Sequence, residues 1–262
     1  MTPPRARRQV RVGIDTGGTF TDFLIARDGR LAVKKILSTP RNPTLAILEG
    51  VADLLDSGDR IEIVHGTTVA TNALLERKGG RIALLTTRGF EDLLLIGRQV
   101  RKRLYGLCGE ERRPLCPRSL CFGVDERTAA TGAVERRPGR PDLERLAVRL
   151  RKAGVEAVAV SFLHSYANPA NEETAAAVLE RGGLRLSVSS RLMPEHREYE
   201  RTAAAAVNAY LMPVLDDYLS SLETGTRGAA LRIMQSNEGT IAAGRARREP
   251  IRTALSGPAG GV

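Results

Sequence analysis

The sequence contains no tryptophan, and aromatic residues make up only 4% of its 262 positions. So few aromatic platforms exclude stacking-based single-strand nucleic-acid binding as a main role. No run of about 18 apolar residues occurs, which excludes a membrane-spanning helix. The start, Met1 to Arg8, is basic but leads straight into a strand-like run with no secretory apolar stretch, so a soluble, cytoplasmic protein is expected. Cysteine is scarce too. Cys108, Cys116 and Cys121 form no CxxC and have no nearby His, so neither zinc nor a disulfide framework is expected, and a reducing compartment fits. Lysine supplies five of the 40 basic residues. The net charge of +10 attracts anions, whether nucleotides, an acidic partner subunit or nucleic acid. The basic residues are dispersed, however, and their local concentrations at Arg5–Arg11, Arg98–Arg103 and Arg245–Arg252 do not alternate with aromatics. Nucleic acid is therefore not the expected partner.

What is present is enough for a packed core: 42% apolar residues in a length that suits one large domain or two small ones. The stretch Val10-Arg-Val-Gly-Ile-Asp15-Thr-Gly17-Gly18-Thr19-Phe-Thr21-Asp22-Phe-Leu-Ile25 places a Gly-Gly pair between two strand-like runs. It predicts a tight hairpin, since type I′ turns need positive φ at both central residues. Two glycines, two threonine hydroxyls and their N–H groups converging on one point suit a phosphate. Asp15 suits Mg²⁺, directly or through water. The same residues also fit a surface turn with a solvated Asp15. The segment is neither a Walker loop nor a G-x-G-x-x-G opening a helix.

Farther on, Leu31–Leu37 reads as a third strand and Thr44–Ser57 as a helix with Leu45, Leu48, Val51, Leu54 and Leu55 on one face. Ile61–Val64 is a short strand that delivers His65-Gly66-Thr67-Thr68-Val-Ala-Thr-Asn72 at its carboxyl end, where open α/β sheets bind ligands. Thr67 or Thr68 equally suits a helix cap. Gly79-Gly80 reads as a helix stop. Residues 101–142 have little periodicity beyond a strand at Leu120–Val124. Val155–Phe162 reads as a buried strand, and Asn168-Pro169 as a helix start. A long helix follows Pro194, which Pro213 must kink or divide.

Asp15-x-Gly-Gly-Thr-Phe-Thr-Asp22 resembles the first phosphate loop of the actin, Hsp70 and sugar-kinase superfamily, in the version found in the hydantoinase A/5-oxoprolinase family. The strings His65–Gly79, Leu84–Phe90, Phe162–Glu172, Arg197-Glu-Tyr-Glu-Arg-Thr202, Met234–Asn237 and Ser256–Val262 resemble that family in the same order. Glu238 departs from it, standing where Gly is usual. The Arg197–Thr202 string also fits an ordinary charged helix start.

The resemblance implies an α/β fold: a ribonuclease-H-like (actin-like ATPase) lobe with a mixed sheet flanked by helices. It implies an N-terminal region over 9–190, and over 191–262 the start of the hydantoinase A region, truncated before a second lobe. It implies phosphate binding by Gly17, Gly18, Thr19 and Thr21, with Asp22 orienting the loop, and Mg²⁺ held by Asp15 through water. Substrate contacts fall to Thr67, Thr68, Asn72 and Arg98 (Arg98 being equally a solvated charge), and His65 is the one candidate there whose proton affinity suits work near neutrality. The implied activity is ATP-dependent opening of a cyclic amide or imide, of hydantoin or 5-oxoproline type, by phosphorylation of the carbonyl oxygen. A hydantoinase-B-like subunit or fused domain would be the partner in a hetero-oligomer, and the isolated chain is expected to turn over little. Alternatives are an acetone or acetophenone carboxylase subunit and a non-catalytic nucleotide-binding module.

Overall fold

Burial alternates with a period of two along the first strands, as half-buried sheet requires. The computed structural model describes residues 8–39, 42–55, 58–100, 113–237 and 239–254. Strand β1 (Gln9–Thr16) buries Val10, Val12, Ile14 and Thr16 and turns Arg11 and Asp15 outwards. Strand β2 (Phe20–Arg27) runs antiparallel to it, with Asp15 opposite Asp22 and Thr16 opposite Thr21. The hairpin is as expected, but its turn is not of type I′, because neither Gly17 nor Gly18 has a positive φ. That conformation occurs instead at Asp28 (φ 52°) and Gly29 (φ 73°), which join β2 to β3 (Arg30–Leu37).

Helix α1 (Pro43–Leu55) buries Ala46, Ile47, Gly50 and Val51, whereas the expected stripe residue Leu45 is 56% exposed. Gly50 decides the rotation. A Cβ there would sit 2.1 Å from the Phe23 ring, so the helix meets β2 through its smallest residue. Strand β4 (Arg60–Gly66) follows, then the short helix α2 (Val69–Leu75). The chain leaves α2 through Arg77 at φ 53°, two residues before Gly79-Gly80. Those glycines pack elsewhere: a Cβ on Gly79 would strike Tyr210, and one on Gly80 would strike Pro213.

Residues 79–213 form one compact unit. Its strands are β5 (Ile82–Thr87), then, after a single helical turn α3 (Leu93–Ile96), β6 (Cys121–Val124) and the small hairpin β7 (Arg127–Thr128) and β8 (Val134–Arg136). Helix α4 (Arg140–Lys152), β9 (Ala157–Ser161), α5 (Ala170–Arg181), β10 (Arg185–Val188) and the turn α6 (Ser189–Leu192) complete it with the first part of α7 (Glu198–Gly225). The sheet order is β10-β9-β5-β6, all parallel, and β5 and β9 are buried along their whole length, which explains their unbroken apolar runs. The strand expected at Leu120–Val124 is β6, at the edge of this sheet. Asn168 Oδ1 accepts the Ala170 N–H at 3.0 Å and its amide donates to Gly132 O at 2.8 Å, tying the helix start to the β7–β8 hairpin.

Pro213 does not divide α7, which is continuous over 28 residues. Beside it, Gly80 N–H donates to Tyr210 O at 2.9 Å, next to the Ala209 carbonyl that lacks the Pro213 N–H. The second unit comprises residues 1–78 and 214–262. Beyond α7 it gains β11 (Ala230–Met234), β12 (Thr240–Ala242) and α8 (Ala243–Arg248). Its six-stranded mixed sheet has the order β12-β11-β4-β1-β2-β3, with β4 parallel to β1 and β11 parallel to β4, the ribonuclease-H-like arrangement. These units divide the chain differently from the sequence regions 9–190 and 191–262. Cys108, Glu238 and the Ser256–Val262 string lie outside the described residues. Among the described residues no helix is long and apolar enough to cross a membrane.

Candidate functional site

Strand register builds a row of positions across the six-stranded sheet: Gly66 on β4, Asp15 on β1, Asp22 on β2 and Lys35 on β3. Directly paired residues share a face, and like charges placed so repel. Lys35 Nζ lies 3.1 Å from Asp22 Oδ1 and offsets one of the two carboxylates. Asp15 is left with the surplus. Its pKa is raised, first by partial burial and then by the charge of Asp22, against the Thr16 N–H bond. Gly66 sits beside it: a Cβ there would make ordinary 3.5 Å contacts with Asp15 Oδ1 and Met234 Sδ.

The loop at the head of this row is held from below. Gly17 N–H donates to Phe20 O at 3.0 Å and Ser38 N–H to Thr19 O at 2.9 Å. Ser38 Oγ donates its one proton to Gly17 O at 2.8 Å, so the Thr21 hydroxyl, 3.0 Å away, donates to Ser38. Thr21 is fully buried, so its hydroxyl braces the loop and does not reach an anion on the open side. Gly17, Gly18 and Thr19 are exposed, a Cβ on Gly18 would meet nothing within 4 Å, and the Gly18 and Thr19 N–H groups have no main-chain partner among the described residues. Thr16 Oγ1 is buried without a partner. Ser38 was not among the expected residues, and only its place one residue past β3, beside the hairpin head, marks it.

These features fit a phosphate chain with Mg²⁺. Free N–H groups suit the anion, and surplus carboxylate charge suits the cation. Among the described residues there is no group of three or more His, Cys, Asp or Glu able to hold a metal unaided. Asp15 and Asp22 would therefore share Mg²⁺ with phosphate oxygens and water, the habit of that ion.

His65 does not face this space. It is 0% exposed, on the opposite face of β4 from Gly66. Its Nδ1 lies 3.3 Å from Ile14 O and its Nε2 2.6 Å from the Tyr218 hydroxyl. A carbonyl only accepts, so Nδ1 carries the proton and Nε2 accepts from Tyr218. The Thr67 hydroxyl in turn bonds the Tyr218 oxygen. Burial pushes the His65 pKa down to about 4, leaving a neutral ring at pH 7. The expected proton-carrying role near neutrality therefore does not suit His65. It braces the carboxyl ends of β1 and β4 against α7.

Thr67 is buried, and its hydroxyl also accepts Val69 N–H at 3.2 Å in a turn just before α2, while Thr68 at the helix N-cap makes no side-chain capping bond. Thr68 is half-buried and Asn72 exposed, with Asn72 Nδ2 3.5 Å from Thr68 Oγ1. Thr71 bonds Ala254 O, and Ser236 Oγ donates to Arg252 O at 2.9 Å, so the carboxyl ends of β4 and β11 carry further polar groups. Arg98 belongs to the other unit, where its Nη2 meets Glu200 Oε1 at 2.6 Å.

The Phe162–Glu172 and Arg197–Thr202 strings meet inside that other unit. Arg201 and Glu172 are both 0% exposed and 3.5 Å apart. Arg201 also bonds Glu198, Ser165, Ser189 Oγ (2.5 Å) and Phe162 O (2.8 Å). Glu172 accepts Phe162 N–H at 2.8 Å, the Ser189 hydroxyl at 2.6 Å and Ser190 N–H at 2.9 Å. The cluster ties β9, α5, α6 and α7 together, and the charged string that also fitted a helix start is a buried clasp.

A ribonuclease-H-like sheet carrying an Asp–Gly-Gly hairpin at the head of its first two strands defines the actin-like ATPase fold. The pattern described as the hydantoinase/oxoprolinase N-terminal region matches residues 11–183, and that described as hydantoinase/oxoprolinase matches 201–262. The chain belongs to the hydantoinase/oxoprolinase family. Caprolactamase subunit alpha of Pseudomonas jessenii is 36% identical over 97% of this chain and 39% of its own length. The crystal structure of ATP-dependent caprolactamase from that organism gives a TM-score of 0.81 at 32% identity, covering 95% of this chain and 39% of that one. Saccharomyces cerevisiae 5-oxoprolinase is 31% identical over 97% of this chain and 23% of its own. A nucleotide-free structure of acetone carboxylase, from work on ATP-dependent acetone carboxylation, gives a TM-score of 0.79 at 30% identity over 96% and 39% of the two chains. The chain thus spans two fifths or less of the length of these relatives.

Proposed function

We propose that this chain is the part of an ATP-dependent cyclic amidohydrolase that grips the nucleotide's phosphates. The reading is supported above all by the surplus negative charge of Asp15 and Asp22 set beside the free N–H groups of Gly18 and Thr19. MgATP bound there would supply a phosphoryl group to the amide carbonyl oxygen, with ADP leaving, and so would turn a poor electrophile into one that water can open. The chain's residues do the holding. Gly17, Gly18 and Thr19 offer main chain to the phosphates, Thr21 and Ser38 keep that loop in shape, and Asp15 holds the cation through water with Asp22 beside it. Of the expected substrate set, Thr67 is buried, whereas Thr68, Asn72 and, in the other unit, Arg98 reach the surface. Hydantoin, 5-oxoproline and related lactams are the substrate class, and a hydantoinase-B-like subunit or fused domain is the partner. Likeness to acetone carboxylase at a TM-score of 0.79 favours a second reading, phosphorylation of a ketone oxygen before carboxylation.

The test uses the full natural polypeptide containing this sequence, co-expressed with its neighbouring subunit. ADP release is measured against hydantoins, 5-oxoproline, caprolactam, acetone and acetophenone. Release with cyclic amides, abolished by Asp15→Ala, is expected. Release only with ketones and bicarbonate would replace this reading by the second, and turnover retained in Asp15→Ala would remove Asp15 from the mechanism.

A further inference from the structure

Cys116 and Cys121 were set aside by their spacing, yet a 3-10 turn at Arg118–Leu120 folds them against each other, sulfur to sulfur at 3.7 Å. Both are free thiols in the core of the unit formed by residues 79–213, Cys116 at 0% and Cys121 at 6% exposure. Cys121 opens edge strand β6 opposite Leu84, and Cys116 Sγ lies 3.5 Å from Ile82 O on the adjoining strand. Backbone fixes both residues, and a disulfide needs its sulfurs at about 2.0 Å. Side-chain rotation has to close only the remaining gap.

We infer that Cys116 and Cys121 are a peroxide-sensitive dithiol that closes to a reversible intramolecular disulfide. The two thiols are unequal. Cys121 is held below the usual thiol range, chiefly by its hydrogen bond with Cys116 and then by the nearby Arg118 guanidinium, whose Nη1 is 3.4 Å from Cys121 O. Cys116 is pushed up by that same bond and by burial. Cys121 is also the more exposed sulfur, at 6% against 0%, so it is the attacking thiolate and Cys116 the resolving thiol. The Cys121 sulfur attacks one peroxide oxygen, forming S–O as O–O breaks, and hydroxide leaves and is protonated. Cys116 then attacks the Cys121 sulfenic sulfur, forming S–S as S–O breaks, and water leaves. The two sulfurs give up two electrons and the peroxide accepts them. A small dithiol reverses the reaction by exchange.

The sequence makes the test direct, because trypsin cleaves after Arg118 and so puts Cys116 and Cys121 on separate peptides, with Cys108 on a third. The Cys108→Ser chain is treated with hydrogen peroxide, denatured, alkylated and digested. Loss of both alkylatable thiols is expected, with the two peptides recovered joined and dithiothreitol restoring both. In Cys116→Ser, dimedone should trap the sulfenic acid on Cys121. Two surviving thiols, separate over-oxidation to sulfinic acid, or a bond only between two copies of the chain would overturn the proposal. So would a dimedone adduct absent from Cys116→Ser but present on Cys116 in Cys121→Ser.

Discussion

Both compact units gather charge at the carboxyl ends of parallel strands, and they dispose of it in opposite ways. In the unit of residues 79–213, Arg201 and Glu172 are sealed from water and pair with each other and with nearby hydroxyl and main-chain groups, although Arg201 Nε has no partner. In the other, Asp15 faces Asp22 across the ladder, one lysine serves the two, and the adjoining loop turns N–H groups outward. A buried charge persists only when it is paired and mostly hydrogen-bonded. One left unpaired at the surface is stable enough to keep and asks for a ligand of opposite sign. Pairing of opposite charges, more than the presence of charge, separates architecture from site.

The comparison breaks most visibly at Arg201. Arg201→Met leaves Glu172 buried and unpaired, and should cost about 3–5 kcal/mol, read as a shift of the urea unfolding midpoint. Adding Glu172→Gln should recover much of that loss, since both charges are then gone. A single variant that unfolds like the parent would mean the clasp is not what holds the unit.

His65 gives the next effect, and it is a pH dependence. Its folded pKa is lowered from 6.5 to about 4, so between those values the unfolded chain takes up a proton that the folded chain refuses. The stability it contributes is complete above pH 6.5, falls as pH drops and stops falling near pH 4. The difference amounts to about 3 kcal/mol. Urea unfolding at pH 7 and pH 4.5 should show a smaller acid loss in His65→Gln than in the parent, whatever the variant's stability at neutrality. Equal losses would mean that the ring is open to protons.

How much of this was legible beforehand follows from the distance over which each feature is encoded. The β1–β2 hairpin and its carboxylates lie within sixteen residues (10–25) and show in local alternation. The form of its turn does not, because Ser38 closes the loop from beyond β3. His65 was marked by its place after a strand, but its burial depends on Tyr218, 153 residues away. Glu172 and Arg201 were both inside matching strings, yet only the fold puts them in one cluster. The Leu45 face of α1 was misjudged because hydrophobicity is local, while the fit of Gly50 over Phe23 is not.

The smallest expected change tests the open side of the comparison. The folded pKa of Asp15 is raised, so its ionised form opposes folding at pH values above that pKa, and the penalty fades as pH falls through it towards the unfolded value. Asp15→Asn should thus stabilise the metal-free chain at pH 7, by about 0.2–1 kcal/mol as for other directly opposed like charges. The carboxyl is largely solvated, so added salt should shrink the gain. Asp22→Asn should gain less, because it also deprives Lys35 of its partner. With magnesium and a nucleotide present the order should invert, the parent gaining thermal stability that Asp15→Asn does not. A parent less stable without ligand and more stable with it is the behaviour of a charge kept for binding. A variant destabilised in both conditions would instead place Asp15 with Glu172, among charges the fold itself consumes.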